Sequence, residues 1–549
     1  MAVSRASSSK LSDRSQRTQQ QQPAMDRTEF FGSQVGDKSV INYSYTDMPW
    51  KLLMKDVKYF FTFSWALPWI VWPLRPCEGH HFDELSFTRQ NLWCMFVHLI
   101  LVIYQLAFLV HLPVALILPV WVVTLSTVAF FTVNWLICRS LNGNTIVFES
   151  NPKYAPAREE HAHEQWIFLN GVAVGEAWLQ NNIDRLALTF KRPIIGVHNR
   201  TDGIIFDVIE CLIQRNFGYA TGDIREAYKI VKEKLYNPQY SKVVFILHSQ
   251  GGIEGGMVLD WLLQELPQDL LAKLEVYTFG NASNHFNNPH RHVGSQETEQ
   301  KHPNIQVPTS VTEVPLTHSP VETRRSSVLE KHVSNGHSFT SKIDDQPLPP
   351  AVTSTGLDTK PERAFTMPSY DRALGHVEHY AHTTDFVALW GVLHFVTNEV
   401  ASPLVPRYIG RVFKRVSSRG GHQFCQHYLN GMFPLAKDAD GNFIGCAESN
   451  EFMNCIVEVA EKGTEKEDVR EGFENSWALI ELNGRRGSTV NGEVEVHGSF
   501  HRDKDEIDDG KVRVKDLSRL WHYRNGRSPP EVPRGLMVGG NGIVWGATM

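Results

Sequence analysis

A serine follows a short apolar run in a pattern that could make it a nucleophile. Val243 to Leu247 are β-branched and apolar residues typical of a buried strand, and Ser249 lies in the turn that comes next. Apolar residues then recur at helical spacing as far as Leu266, and Pro267 ends this helix. A serine on such a strand–turn–helix exposes its hydroxyl at a sheet edge, which predicts nucleophilic attack on a carbonyl.

The residues around Ser249 could also bind the negative charge that such an attack creates. The N–H of Gln250 lies where the predicted helix begins, so it is unpaired and the helix dipole favours an anion there. Gly251 and Gly252 allow strand and helix to approach closely. Leu247 replaces the first glycine of the G-x-S-x-G pattern, and we expect it to crowd the turn. The alternative is an ordinary strand–turn–helix that contains an incidental serine.

This stretch resembles the nucleophile elbow of the α/β-hydrolase superfamily, specifically its serine lipase and esterase branch. The chain is similar to a group of membrane-anchored, lipase-like fungal proteins, and the resemblance covers about residues 160–435. It implies a second oxyanion donor in a loop after an early strand, near Gly171 or Val172. A simple turn at Asn170-Gly171-Val172 is the alternative.

The superfamily order of serine, acid and histidine indicates two distant residues. Asp385 follows a predicted strand, and the resemblance makes it the acid that orients the imidazole, although it could merely cap the next helix. His422 follows two glycines at the start of a predicted helix, which suits the base. His427 is the alternative base, but it would lie further along that helix.

Strand and helix patterns alternate on both sides of the serine. Runs near residues 165–169, 193–197 and 274–279 predict strands, and amphipathic helices are expected between them. This alternation predicts an α/β fold with a mainly parallel sheet and helices on both faces. Asp202 precedes the serine and is interpreted as a loop or capping residue.

Composition limits the partners of the chain. The 549 residues contain 54 Lys and Arg against 60 Asp and Glu, a net charge of −6 that does not favour nucleic acid. Seven scattered cysteines are typical of a reducing compartment. The histidines at 376, 379 and 382 are spread along a predicted strand, so we expect neither a metal nor a cofactor.

The N-terminal region predicts a membrane anchor. No charged residue lies between Arg89 and Arg139, which predicts two transmembrane helices, at about 92–111 and 115–138, in a helical hairpin. The aromatic stretch Lys51 to Arg75 is expected in the membrane interface. Lysines and arginines flank both ends, so these ends and the catalytic domain should face the cytosol, at the endoplasmic reticulum or a lipid droplet.

Four regions are therefore expected along the chain. They are a disordered tail (1–45), a membrane region (46–140), a hydrolase domain (160–435) with a disordered insert (289–362), and a polar C-terminal extension (436–549). The favoured hypothesis is a membrane-anchored serine hydrolase that cleaves carboxylic esters, and lipid esters above all. The alternatives are a catalytically inert hydrolase-fold scaffold or binding protein, and a lipid acyltransferase that uses the same three residues.

Overall fold

The computed structural model describes residues 27–31, 48–71, 73–289, 291, 372–397, 410–416, 421–459, 513–529, 537–538 and 544–545. They belong to two compact units, of which the first comprises residues 1–309 and 368–531. The second unit is described only at the strands Met537–Val538 and Val544–Trp545, which pair in antiparallel fashion. Apart from residues 289 and 291, the predicted insert 289–362 lies outside the described residues.

Strands and helices alternate through most of the described residues. The strands are β1 (Arg27–Phe31), β2 (Val147–Glu149), β3 (Glu164–Leu169), β4 (Ile194–Val197), β5 (Lys242–His248), β6 (Leu274–Phe279), β7 (His376–His382), β8 (Arg411–Val416), β9 (Leu435–Lys437), β10 (Phe443–Cys446), β11 (Val457–Val459), β12 (Met537–Val538) and β13 (Val544–Trp545). The α-helices are α1 (Pro49–Phe63), α2 (Leu67–Val71), α3 (Arg89–His111), α4 (Val120–Asn142), α5 (Glu176–Phe190), α6 (Ile204–Phe217), α7 (Gly222–Tyr236), α8 (Gly251–Glu265), α9 (Gln268–Leu271), α10 (Phe386–Trp390), α11 (Val392–Thr397), α12 (Asn430–Met432), α13 (Glu451–Asn454) and α14 (Val514–Leu517).

One mixed sheet organises the first unit. Its strand order is β11-β1-β8-β7-β6-β5-β3-β4-β2. The strands from β4 to β8 in this order all pair in parallel, whereas β2 and β1 run antiparallel to β4 and β8. The predicted α/β class with a mainly parallel sheet is confirmed, and β5, which leads to Ser249, lies in the centre.

Both faces of the sheet are covered, which explains the unbroken apolar runs of its strands. On β3, Phe168 points into a core that it shares with Leu179 of α5. The next residue, Leu169, points into the opposite core with Val231 of α7 and Leu262 of α8. A parallel strand that is buried on both faces needs apolar residues at successive positions.

The expectation of disorder throughout residues 1–45 is wrong for β1. This strand pairs with β8, and the buried ring of Phe30 packs 5.4 Å from that of Phe413. The prediction of disorder was based on the average composition of the tail, which is polar. Five residues of this tail include Thr and Phe, which favour a strand. The rest of the tail lies outside the described residues.

The C-terminal extension adds buried side chains to the body. Arg519 is buried and forms an ion pair with Glu275 of β6 at 3.0 Å. Tyr523, in the 3₁₀-helix Leu520–Gly526, is fully buried and its hydroxyl donates a hydrogen bond to the same carboxylate at 2.8 Å. This part of the extension therefore completes the core around β6.

The N-terminal helices α3 and α4 form the predicted hairpin. Helix α3 continues as a 3₁₀-helix, Leu112–Ile117, before α4 begins. The resulting segments, Arg89–Ile117 and Val120–Asn142, are each long and apolar enough to cross a membrane.

Polar side chains bind this hairpin to the body. The Gln105 amide donates to the Asn134 side chain at 3.0 Å and thereby joins the two helices. Both amides also donate to the backbone carbonyl of Asp202, at 2.6 and 3.1 Å. Asn142 exchanges two hydrogen bonds with the backbone of Thr201. The hairpin is thus docked on the loop after β4.

Helix α1 buries a carboxylate against the body and exposes part of its apolar residues. Its Asp56 is buried and receives hydrogen bonds from Arg215 and Asn216 of α6, at 2.8 and 2.7 Å. On the other side of the helix, Trp50 and Phe61 are 54% and 69% exposed. An inward carboxylate and outward aromatic rings suit a helix that lies against lipid.

Candidate active site

Ser249 occupies a strained turn between β5 and α8. Its φ of 58° is unusual for a residue other than glycine. Its N–H donates to the Phe279 carbonyl at 3.0 Å, and its own carbonyl accepts the N–H groups of Gly252 and Ala282 at 2.9 and 3.2 Å. The neighbouring strand and helix therefore hold the serine in this conformation, as strained functional residues require.

Glycine is required where other backbone segments approach the serine. A β-carbon on Gly171 would lie 2.4 Å from the Ser249 Cβ, and one on Gly251 would lie 2.6 Å from the Leu169 carbonyl oxygen. The expected crowding at Leu247 is relieved one helical turn later, because Gly255 leaves room for its side chain. Gly255 belongs to the second Gly-Gly pair of the sequence, and this pair could have indicated the space for the Leu247 side chain.

Three of the predicted residues form one line of hydrogen bonds. The Ser249 Oγ lies 2.7 Å from Nε2 of His422, and Nδ1 of His422 lies 2.8 Å from Oδ2 of Asp385. A carboxylate can only accept hydrogen bonds, so the proton of the neutral His422 ring lies on Nδ1. This tautomer leaves Nε2 free to accept the serine proton.

The Asp385 carboxylate both binds the His422 ring and caps a helix. Its Oδ1 accepts the Val387 N–H at the start of α10, at 2.8 Å, while its Oδ2 accepts from His422 and from the Tyr428 hydroxyl. Complete burial would raise the pKa of Asp385. The His422 ring and the hydrogen bonds from His422 and Tyr428 outweigh burial and hold this pKa below its ordinary value.

The second candidate base, His427, does not reach the serine. Its Nδ1 accepts the Gln423 N–H at 3.1 Å, and no hydrogen bond joins it to Ser249 within the described residues. Burial lowers the pKa of His427 to about 4, so the ring stays neutral. It packs beneath Gly421, where a β-carbon would lie 2.2 Å from the ring.

A further histidine, which sequence reasoning missed, positions the base. The ring of His248 stacks on that of His422 at 4.8 Å, and its Nε2 donates to the His422 carbonyl at 2.9 Å. Burial, followed by the nearby His422, lowers the pKa of His248 to about 3. Its place directly before Ser249 was visible, but the contact with a residue so distant in sequence was not.

The expected oxyanion donors lie beside the serine. The N–H groups of Gln250, Gly171 and Val172 donate to no acceptor in the described part of the chain. The loop after β3 is held by Asn170, whose amide donates to the Asn199 carbonyl and accepts the Asn199 N–H, each at 2.9 Å. These donors are available to a substrate oxygen.

A segment between α2 and α3 supports the turn that directly follows His422. The Glu84 carboxylate accepts the N–H groups of Cys425 and Gln426, at 2.8 and 3.1 Å, at the start of the π-helical turn Phe424–Leu429. The neighbouring Asp83 accepts the Asn430 amide at 2.7 Å. Burial raises the pKa of Glu84 to about 7, against the effect of the two N–H donors.

The remaining sequence candidates lie elsewhere. Asp202 receives the hairpin amides on its carbonyl, and the histidines of β7 contact different partners: His379 bonds to Thr278 and His382 to the His427 carbonyl. Within the described residues, no group of three or more His, Cys, Asp or Glu side chains is arranged to hold a metal ion.

Comparisons with known proteins give no relative for this chain. No protein-family model matches it, and neither a curated protein nor a solved structure is significantly similar to it.

Proposed function

We propose that the protein is a membrane-anchored serine hydrolase of the α/β-hydrolase type, which cleaves carboxylic esters and in particular lipid esters. The observation that carries the proposal is the line from the Ser249 hydroxyl through His422 to Asp385, with distances of 2.7 and 2.8 Å. The strained backbone at Ser249 and the unpaired N–H groups next to it support the same chemistry.

The proposed reaction proceeds through an acyl-serine. Nε2 of His422 takes the Ser249 proton as the Oγ attacks the ester carbonyl, and the backbone N–H groups near Gln250 and Gly171 bind the oxyanion. The imidazolium, stabilised by Asp385, gives its proton to the departing alcohol. Water, deprotonated by His422, then attacks the acyl-serine, and His422 returns this proton to the Ser249 Oγ as the carboxylic acid leaves.

A lipid substrate is supported by the short path from the hairpin to the serine. Asp202 accepts the hairpin amides on its carbonyl, and in the same loop Asn199 donates to the Gln250 side chain at 2.9 Å. Gln250 directly follows Ser249. The nucleophile thus lies close to the membrane anchor, on what we infer is the cytosolic face of the endoplasmic reticulum or a lipid droplet.

A fluorophosphonate probe tests the chemistry directly. The full-length protein in detergent should be labelled, and Ser249→Ala should not be. His422→Ala should be labelled at a rate at least about 10⁴-fold lower than that of the wild type. Ser241→Ala is the matched control, because this serine is exposed and outside the site. A folded wild type that is not labelled would favour the inert scaffold.

Product analysis separates hydrolysis from acyl transfer. Purified protein is incubated with a radiolabelled glycerolipid ester in vesicles, with and without an added lipid alcohol. Free fatty acid in both samples supports hydrolysis, whereas a new ester that forms only with the added alcohol would identify an acyltransferase.

A further inference from the structure

The body contacts only part of the helical hairpin. The last buried side chain of α3 is Gln105, and the first buried side chain of α4 is Phe130, whose ring lies 5.9 Å from Phe206 of α6. Between them, residues 106–129 contain no buried side chain. These residues form the free end of the hairpin.

The free end is shorter than a bilayer is thick. The α4 segment from Val120 to Phe130 rises about 15 Å at about 1.5 Å per residue. The other arm, from Gln105 through the 3₁₀-helix Leu112–Ile117, has a length of about 20 Å. The hydrocarbon core of a bilayer is about 30 Å thick, so a free end of this length stops near its middle.

The tip of the hairpin is suited to hydrocarbon and not to water. Leu116, Ile117 and Val120 are 88%, 83% and 82% exposed, and the sequence has no charged residue between 90 and 138. His111 satisfies its Nδ1 within the hairpin by a 2.6 Å hydrogen bond to the Ala107 carbonyl. A hairpin that crossed the bilayer would expose this apolar tip to water on the far side.

The body beside the hairpin offers a surface for the headgroup layer. Helix α6, which contacts α4 through Phe206, exposes the apolar side chains of Ile213 and Phe217. Helix α1 is tied to α6 through Asp56 and exposes aromatic rings next to Lys51 and Lys55. Apolar and aromatic residues with lysines among them are typical of a membrane interface.

We propose that the hairpin enters a single leaflet and stops among its acyl chains, while α1 and α6 rest in the headgroup layer. The partner of this surface is one phospholipid leaflet. A bilayer and the monolayer that encloses a neutral-lipid droplet therefore bind it equally well, and no part of the hairpin reaches the opposite aqueous side. This inference concerns the anchor alone and does not depend on the proposed chemistry.

Cysteine accessibility tests the depth of the tip. Leu116→Cys is introduced into the full-length protein with the partly exposed Cys77 and Cys455 changed to Ser, and the other cysteines are buried. The protein is reconstituted in phosphatidylcholine liposomes and treated with a membrane-impermeant maleimide, first alone, then after pore formation by a toxin, and finally in detergent. Ser140→Cys, at the exposed base of α4, is the matched control.

The single-leaflet hairpin predicts that the cysteine at position 116 reacts only in detergent, while the one at position 140 reacts already in liposomes. Labelling at position 116 once pores admit the reagent to both sides would overturn the proposal, because the tip would then lie in water. In a second measurement, triolein droplets coated with a phosphatidylcholine monolayer should bind the protein as well as liposomes do. Exclusion from these droplets would also overturn it.

Discussion

The same substitution at two adjacent glycines of α8 should have opposite effects on stability. A β-carbon on Gly255 would lie 2.3 and 2.7 Å from the two methyl carbons of Leu247. At Gly256 the nearest heavy atom would be 3.7 Å away, which is an ordinary contact. Gly255→Ala therefore tests whether a glycine in the helix accommodates Leu247, and Gly256→Ala is its control.

The magnitude follows from two opposing terms. Replacing a helical glycine by alanine stabilises a helix by about 1 kcal/mol. Overpacking a closed core costs about 1–3 kcal/mol, and Leu247 is fully buried, so its side chain cannot easily move away. Gly256→Ala should thus be up to about 1 kcal/mol more stable than the wild type, and Gly255→Ala up to about 2 kcal/mol less stable.

Thermal unfolding in detergent and the fluorophosphonate labelling rate are the two measurements. Gly255→Ala should also label more slowly, because α8 starts just after Ser249 and must shift to admit the methyl group. In a chain that already carries Leu247→Ala, Gly255→Ala should no longer destabilise, since the smaller side chain vacates the space that the new methyl group needs. If both alanine variants are stabilised alike and label at the wild-type rate, the reasoning about Leu247 is refuted.

Three other changes probe the charges of the fold. Asp385→Asn should slow ester hydrolysis by about 10⁴-fold, because the amide no longer holds the imidazole in the required tautomer. Burial, and then the neighbouring Asp223, hold the pKa of Glu254 well above its ordinary value of 4.5. The protonated acid therefore stabilises the fold fully below about pH 4.5, and this contribution is lost as the pH rises. Glu254→Gln should accordingly raise the melting temperature at pH 8, by about 2–4 °C for each kcal/mol of unfolding free energy that the protein regains. At pH 4 the substitution should leave the melting temperature unchanged. Asp56→Ala removes the carboxylate that faces the buried Arg215 and should cost about 3–5 kcal/mol, measured by thermal unfolding.

Each of these three expectations has an outcome that contradicts it. A wild-type rate for Asp385→Asn would remove this residue from the mechanism. Equal effects of Glu254→Gln at both pH values would show that the carboxyl does not titrate as proposed. If Asp56→Asn, which keeps the shape of the side chain but removes its charge, is as stable as the wild type, the ion pair with Arg215 is not what Asp56 contributes.

Local patterns in the sequence were sufficient for the five neighbouring strands β3 to β7 of the sheet. The strand before Ser249 and the helix after it were predictable because an apolar run, a pair of glycines and Pro267 lie within one short stretch. The same holds for the hairpin, which lacks charged residues over two helix lengths. Strand β1 was not predicted, because its five residues are paired by strands that come roughly 380 to 430 residues later.

The surroundings of the candidate base could not be predicted in the same way. His422 was favoured because glycines precede it, but its support by His248 and Glu84 depends on contacts between segments that are far apart in sequence. Tyr428 likewise meets Asp385 only because the turn after His422 folds over β7. Buried polar residues of this kind produce no periodic pattern in the sequence, because each of them forms its hydrogen bonds at one position only.

The hydrogen bonds between Glu84 and the turn after His422 limit how far the chain can be shortened from its N-terminus. A water-soluble version made by deleting everything before residue 143 would lose Glu84 together with Asp83. The two backbone amides at the start of the turn, and the Asn430 side chain, would lose their acceptors. The shortened chain would thus have a misplaced imidazole, and the full-length chain in detergent or lipid is the form to purify.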